Sequence, residues 1–363
     1  NKPFTTILNQ SKIKAHKRLF TTATPRTYSA NLKKRADERG IEFSGMDNAS
    51  LFGSVFHTLN FASAINNKPQ LLTDYQVVIV GVDKPMIAQW IKDRELIRTT
   101  KGETTNAKDL AAQIGLIKAI SDFDLKRLIS FHSRVKKAGN FSVEIQDAID
   151  IVDHGYKPKG SIWSDYVSGE MTTRSRNTKL KQLKELSNSQ IGILSNARCL
   201  SEGVDVPSLD GVVFIDPKRS QVDIIQAVGR AIRLSDHKTI GTIVLPVFIE
   251  QDDDEIDSIE SSNFKPIWDV INALRSHDDE LSLELDQLRT QMGLEGTSEV
   301  RNISDKIIFD IPETVDASFS KSLKTKIVET TTTSWHFWFG LLLNYCETHG
   351  DSLVPTGYVT PDG

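Results

Sequence analysis

Cysteine is nearly missing from this sequence: Cys199 and Cys346 are the only two in 363 residues. They lie too far apart to form a CxxC zinc knuckle and are too few for a disulfide framework, so no metal centre is expected and both thiols are read as reduced. No apolar run approaches the roughly 18 residues of a membrane-spanning helix. The opening residues, Asn1-Lys2-Pro3-Phe4, lack the apolar stretch of a signal peptide. The expectation is a cytoplasmic protein with no membrane partner. No Gly-Lys-Ser or Gly-Lys-Thr triplet occurs, so the loop that cradles the β- and γ-phosphates in P-loop enzymes is absent. A strong net charge is absent too. The 44 basic and 48 acidic side chains leave −4, which excludes a uniformly basic nucleic-acid coat but not a local basic track.

Such a track is present. Between residues 171 and 200, Arg174, Arg176, Lys179, Lys181, Lys184 and Arg198 face Glu185 as the one acidic residue. Residues 251–300 are strongly acidic in turn. The length suits two or three domains. From 1 to 250, β-rich apolar runs at 77–83, 127–132, 161–167, 190–195, 211–215 and 240–249 alternate with amphipathic stretches. That alternation predicts an α/β fold, a parallel sheet with flanking helices. The polar, Thr-rich segment 98–106 reads as a linker. Beyond 250 helical spacing dominates. The pattern predicts a helical hairpin or connector over 262–293, a short strand at 306–311, a helix near 319–328 and a last aromatic helix from Trp335 to about Glu347. Its tryptophans are expected to pack in a core.

Four segments carry chemistry. In 216–233, Ser220 stands three residues before Asp223, a capping-box-like start. Gln226, Arg230 and Arg233 then follow at i, i+4 and i+7, so one helix face is expected to carry an amide and two guanidinium groups, a set suited to a polyphosphate. Gly229 is expected to permit a close backbone approach. The segment Ser195-Asn196-Ala197-Arg198-Cys199-Leu200-Ser201-Glu202-Gly203-Val204-Asp205-Val206-Pro207 follows one apolar run and precedes another. It therefore sits where ligands bind in open α/β sheets; Gly203 allows tight approach and Asp205 offers an acceptor. Ile129-Ser130-Phe131-His132-Ser133-Arg134 reads as a strand passing into a helix, with Ser133 and Arg134 placed for a phosphate at the helix N-terminus. Lys17-Arg18-Leu19-Phe20-Thr21-Thr22-Ala23-Thr24-Pro25-Arg26 reads as a strand running into a Pro-started helix.

The order Thr-Ala-Thr-Pro, Phe-His-Ser-Arg, Asn-Ala-Arg…Glu-Gly-Val-Asp-Val-Pro, Gln-Ala-Val-Gly-Arg-Ala-Ile-Arg resembles motifs III to VI of superfamily-two helicases and translocases. The version here resembles bacterial predicted helicases related to restriction-enzyme motor subunits. Val167-Ser168-Gly169-Glu170-Met171, followed by Arg174 and Arg176, is similar to that family's segment between motifs IV and V. The resemblance implies a RecA-like parallel sheet, the helicase C-terminal domain, followed by a mainly helical appendage. It implies that Arg230 and Arg233 are arginine fingers on the γ-phosphate of ATP, that Gln226, Gly203 and Asp205 bind ATP, and that Thr22 and Thr24 couple hydrolysis to strand movement. Ser133, Arg134, Ser195, Arg174 and Arg176 are implied to meet nucleic acid, expected as double-stranded DNA.

With no Walker A loop, the chain is expected to begin between motifs II and III. Residues 1–97 would be the tail of a first RecA-like domain, 98–250 the second, 251–330 a helical connector, and 331–363 the start of a helicase-associated domain. ATP and Mg²⁺ would belong to the intact protein, with the N-terminal RecA-like half as partner. Neither would be held tightly here, and this portion would be inactive alone. The alternative from a different class is a non-catalytic nucleic-acid-binding or assembly module.

Overall fold

Residues 74–83 are apolar at successive rather than alternate positions, which suits a strand covered on both faces. In the computed structural model they form β1 (Asp74–Asp83), buried without interruption from Val77 to Asp83. The structure describes residues 3–22, 25, 38, 45–95, 107–151, 156–187, 189–197, 199, 209–216, 220–250, 259, 263–297 and 299–360. The chain divides into two units, Asn1–Leu59 and Asn60–Gly363.

In the first unit a 3-10 turn spans Pro3–Leu8, and Arg18 Nε donates to the Ile7 carbonyl at 2.8 Å. A short helix, α1 (Ala49–Phe52), is capped by Asn48, whose side chain accepts from the Ser50 amide. The strand expected before Thr24 does not form: the described residues 17–22 take no regular structure, and Thr22 is exposed. Thr24 lies outside the described residues.

The second unit runs α2 (Phe61–Asn66), β1, α3 (Lys84–Glu95), α4 (Ala107–Asp122), β2 (Arg127–His132), α5 (Val135–Ile151), β3 (Ser161–Ser168), α6 (Thr173–Glu185), β4 (Gln190–Ala197), β5 (Gly211–Phe214), α7 (Gln221–Ala231), β6 (Ile240–Ile249), α8 (Lys265–Arg275), α9 (Asp279–Glu295), β7 (Ile307–Asp310), α10 (Ala317–Thr331) and α11 (Ser334–His349). Among the described residues seven strands form one sheet in the order β3-β4-β2-β5-β6-β1-β7, and every pair of these strands is parallel. Val78, Val80 and Val82 face a core shared with α4 and α5. Val77 and Ile79 face a second core with α7, α8, α9 and α10. The expected α/β sheet with helices on both faces is the observed architecture.

Two expected boundaries shift. β1 pairs with β6 along its whole length, from Asp74–Ile240 to Asp83–Ile249. β1, ahead of the break expected at residue 97, therefore belongs to the same sheet as the strands after it. Residues 251–330 do not stand apart as a connector either. Phe264, Ile267, Ile271, Leu274 and Leu281 are fully buried in the core that also holds Val77, Ile79 and Leu245, and β7 extends the sheet beyond β1. The turn between α8 and α9 is fixed by the fully buried Asp278. One of its oxygens accepts from the Glu280 and Leu281 amides, and the other accepts from the Tyr75 hydroxyl at 2.7 Å and Lys306 Nζ at 3.2 Å.

Candidate functional site

α7 begins as its sequence requires, with Ser220 as N-cap accepting from the Asp223 amide. Its inner stripe, Ile225 and Val228, joins the core with Ile232 just past its end. Arg230 is 5 % exposed, so it is not part of a solvated basic face. Gln226 is half-buried, and its Oε1 has no hydrogen-bond partner among the described residues. The helix stops at Ala231, with Ile232 as C-cap, and Arg233 forms an isolated antiparallel bridge with Leu72. The expected single helix face with Arg230 and Arg233 at helical spacing is thus corrected: Arg233 lies beyond the helix end, held by the segment that leads into β1. No described atom lies within 4 Å of a Cβ built on Gly229, so the close approach expected there is not seen among the described residues.

The second group lies at the carboxyl edge of β3, β4, β2 and β5. Ser133 and Arg134 follow β2 directly; Arg134 is exposed, and the Ser133 hydroxyl donates to the Asp216 carboxylate after β5. Lys137 Nζ lies 3.6 Å from Asp216 and 3.7 Å from Asp109. Ser195 sits inside β4 opposite Ser130 of β2. It is fully buried and its hydroxyl accepts from Ser130 at 3.1 Å, so it props the strands beneath this edge rather than facing solvent. Gly203 and Asp205 lie outside the described residues.

β3 delivers the chain to α6, capped by Thr172, which accepts from the Ser175 amide. The loop between them is tied to the neighbouring strand where the Gly169 amide donates to the Ala197 carbonyl at 3.3 Å. Arg174 is exposed and Arg176 half-buried in the first turn. Arg176 also faces Cys199, whose thiol burial pushes up and the guanidinium draws down. Lys179 is engaged elsewhere, at 2.6 Å from Asp165 and 3.0 Å from the Tyr166 carbonyl.

A feature missed in the sequence joins these pieces. α5 opens with Lys136 and Lys137, and α6 opens with Arg174 and Arg176, with no acidic residue in either first turn. Helix N-termini ordinarily favour acidic side chains, because the macrodipole is positive there. α5 and α6 pack on opposite faces of the sheet and both begin at its carboxyl edge. Lys137 already faces Asp216 and Asp109, so the exposed Arg134 and Arg174 are the cations placed to meet an anion there. Among the described residues no group of three His, Cys, Asp or Glu side chains could hold a metal, and no described helix is long and apolar enough to cross a membrane.

Comparison with known proteins places this geometry. Residues 122–235 match the helicase conserved C-terminal domain. The chain is 29 % identical over 278 residues to the probable helicase A859L of African swine fever virus, covering 76 % of this chain and 27 % of the relative. It is 27 % identical over 166 residues to the putative ATP-dependent helicase IRC3 of Saccharomyces cerevisiae, covering 42 % and 23 %. It thus spans about a quarter of the length of these relatives. Among solved structures, the Type ISP restriction-modification enzyme LlaBIII bound to DNA superposes with a TM-score of 0.67 at 24 % identity, over 95 % of this chain and 22 % of that one. Residues 122–235 thus match the helicase conserved C-terminal domain, and the parallel sheet that carries them is the fold shared with LlaBIII.

Proposed function

We propose that this chain is the second motor lobe of an ATP-dependent DNA translocase or helicase, working in the cytoplasm on double-stranded DNA. The observation that carries the reading is the pair of basic first turns at the starts of α5 and α6 on the carboxyl edge of a helicase C-terminal sheet. Arg134, Arg174 and Arg176 meet backbone phosphates there, positioning the strand without reading its sequence. DNA is the nucleic acid in the LlaBIII complex, which favours it over RNA here.

In this reading α7 and its exit face the nucleotide. The two guanidinium groups of Arg230 and Arg233 and the Gln226 amide are a donor set that fits the oxygens of a triphosphate. ATP and Mg²⁺ supply the phosphoryl group and its counter-charge. The chain's own part is to place fixed positive charge where negative charge builds up on the γ-phosphate, an effect worth about 10³–10⁵ in rate. The lysine loop and the magnesium ligand come from a first RecA-like lobe, with Gly203 and Asp205 lining the cleft from this side and Thr22 and Thr24 coupling the lobes.

The test joins this chain to a Walker A-bearing lobe and measures DNA-stimulated ATP hydrolysis. The joined protein turns over ATP and the present chain alone does not. Arg230→Lys and Arg233→Lys keep the charge but lose the planar fork, and each lowers kcat by at least tenfold. Turnover by the chain alone, or full activity in both variants, refutes the reading.

A further inference from the structure

A helix end leaves its last carbonyl groups without partners in the helix. At the end of α7 two of these, Ala231 and Ile232, stand between Arg230 and Arg233, and both are taken by residues from elsewhere. The Lys238 ammonium donates to the Ala231 carbonyl and also to the Leu209 carbonyl just ahead of β5. The Thr73 amide and hydroxyl both donate to the Ile232 carbonyl, at 2.9 Å and 3.1 Å. Thr73 is 3 % exposed. The start of β6 closes the third side: a Cβ on Gly241 would lie 2.6 Å from the Ala231 carbonyl oxygen.

We infer that Thr73 and Lys238 are positioning residues for the Arg230–Arg233 pair, together setting where the second guanidinium stands relative to the first. The need for them follows from the backbone. In a continuous helix the separation of two residues three apart is fixed by the helix itself. Here the helix has ended at Ala231, so the direction of Arg233 depends on the bridge to Leu72 and on the bonds that hold the carbonyl just before it. Lys238 adds a second link. By holding Ala231 and Leu209 with one ammonium, it joins the end of α7 to the point where the chain returns from 198–208, the segment carrying Gly203 and Asp205. A cation at a helix C-terminus also suits the macrodipole.

The inference rests on the motor reading above, and the two can fail separately. In the joined two-lobe protein, Thr73→Val keeps the amide and the side-chain shape but loses the hydroxyl, Thr73→Ser restores it, and Lys238→Met keeps the stem but loses the charge. Thr73→Val and Lys238→Met are expected to lower kcat about ten- to a hundredfold, the scale of a 1 Å misplacement. KM for ATP and Kd for DNA should stay within about twofold, the scale of uniform binding left intact. Thr73→Ser should recover the parent kcat, and hydrogen exchange of 229–236 should rise in Thr73→Val while exchange of β2 and β4 stays at parent values. A parent that hydrolyses ATP in an Arg230- and Arg233-dependent way, with unchanged kcat in both variants, overturns this inference alone. A loss of kcat that Thr73→Ser does not restore, or that tracks a lowered Tm, overturns it as well. A parent without ATPase overturns the motor reading and this inference with it.

Discussion

His132 ends β2 with 4 % of its surface exposed, its Nε2 3.0 Å from the Ser130 hydroxyl. Since that hydroxyl is spent on Ser195, an imidazole carrying its proton on Nε2 completes the chain of bonds. Burial holds its pKa down at about 4, with Lys137 lowering it further and Asp216 opposing. The unfolded chain binds this proton near pH 6.5, so between about 4 and 6.5 it holds more protons than the fold, and stability falls as the pH falls. His132 alone should remove about 2 kcal/mol between pH 7 and pH 5. Urea titrations at both pH values should show that loss in the parent and a smaller one in His132→Gln. Equal losses in the two proteins would rule out a buried neutral imidazole. At this scale the sequence was partly legible. The Ser220 cap, the burial of Ile225, Val228 and Ile232, and the place of Ser133 and Arg134 follow from spacing. The burial of Ser195 did not, because a serine at the end of an apolar run looks alike whether it faces a neighbouring strand or a ligand. The end of α7 was hidden as well: Ala-Ile-Arg-Leu can continue a helix, and the bonds that stop it come from Thr73 and Lys238.

α9 and α11 cross in close backbone contact through two glycines. A Cβ on Gly293 would lie 2.1 Å from the Phe337 carbonyl oxygen, and one on Gly340 would lie 2.0 Å from that of Thr290. Both obstacles are backbone and cannot swing aside, so Gly293→Ala and Gly340→Ala must push the helices apart, at about 1–3 kcal/mol each. Gly229→Ala is the control. Its Cβ meets no described atom within 4 Å, so only the helix-propensity gain of up to about 1 kcal/mol is expected. Thermal melts read through tryptophan fluorescence should separate the three, and a Gly340→Ala protein as stable as Gly229→Ala would argue against the crossing. The tightness of this contact leaves the opposite face of α11 outward. Trp335 and Trp338 are 67 % and 60 % exposed, which corrects the expectation of core tryptophans; Phe337 packs instead beneath the Arg289 guanidinium, 4.8 Å from its ring centre. The sequence pattern pointed to a helical hairpin or connector over 262–293, a short strand near 306 and two helices after it; the structure resolves the first as α8 and α9. The pattern could not say that α8, α9 and α10 cover the sheet, because an amphipathic helix shows that it has a partner without showing which one.

Across the whole molecule the net charge of −4 conceals a division of labour that decides how the protein should respond to salt. Two of the six cations of the basic stretch are already paired: Lys179 with Asp165, and Lys181 with Glu185 at 3.6 Å. In the proposed reading, Arg174 and Arg176 at the start of α6 are the residues of that stretch that would contact phosphates. Each phosphate neutralised contributes about −0.9 to the slope of log K against log salt concentration on duplex DNA. Arg174→Ala/Arg176→Ala should flatten that slope by about two units and weaken binding equally for all sequences. Lys179→Ala removes the same formal charge per residue but breaks only an internal ion pair, so its slope should match the parent's. Fluorescence anisotropy with two unrelated duplexes over a salt series separates the possibilities. Equal flattening in Lys179→Ala would mean that binding follows the overall charge of the chain, and an unchanged slope in the double variant would leave both arginines as solvated side chains on a helix face.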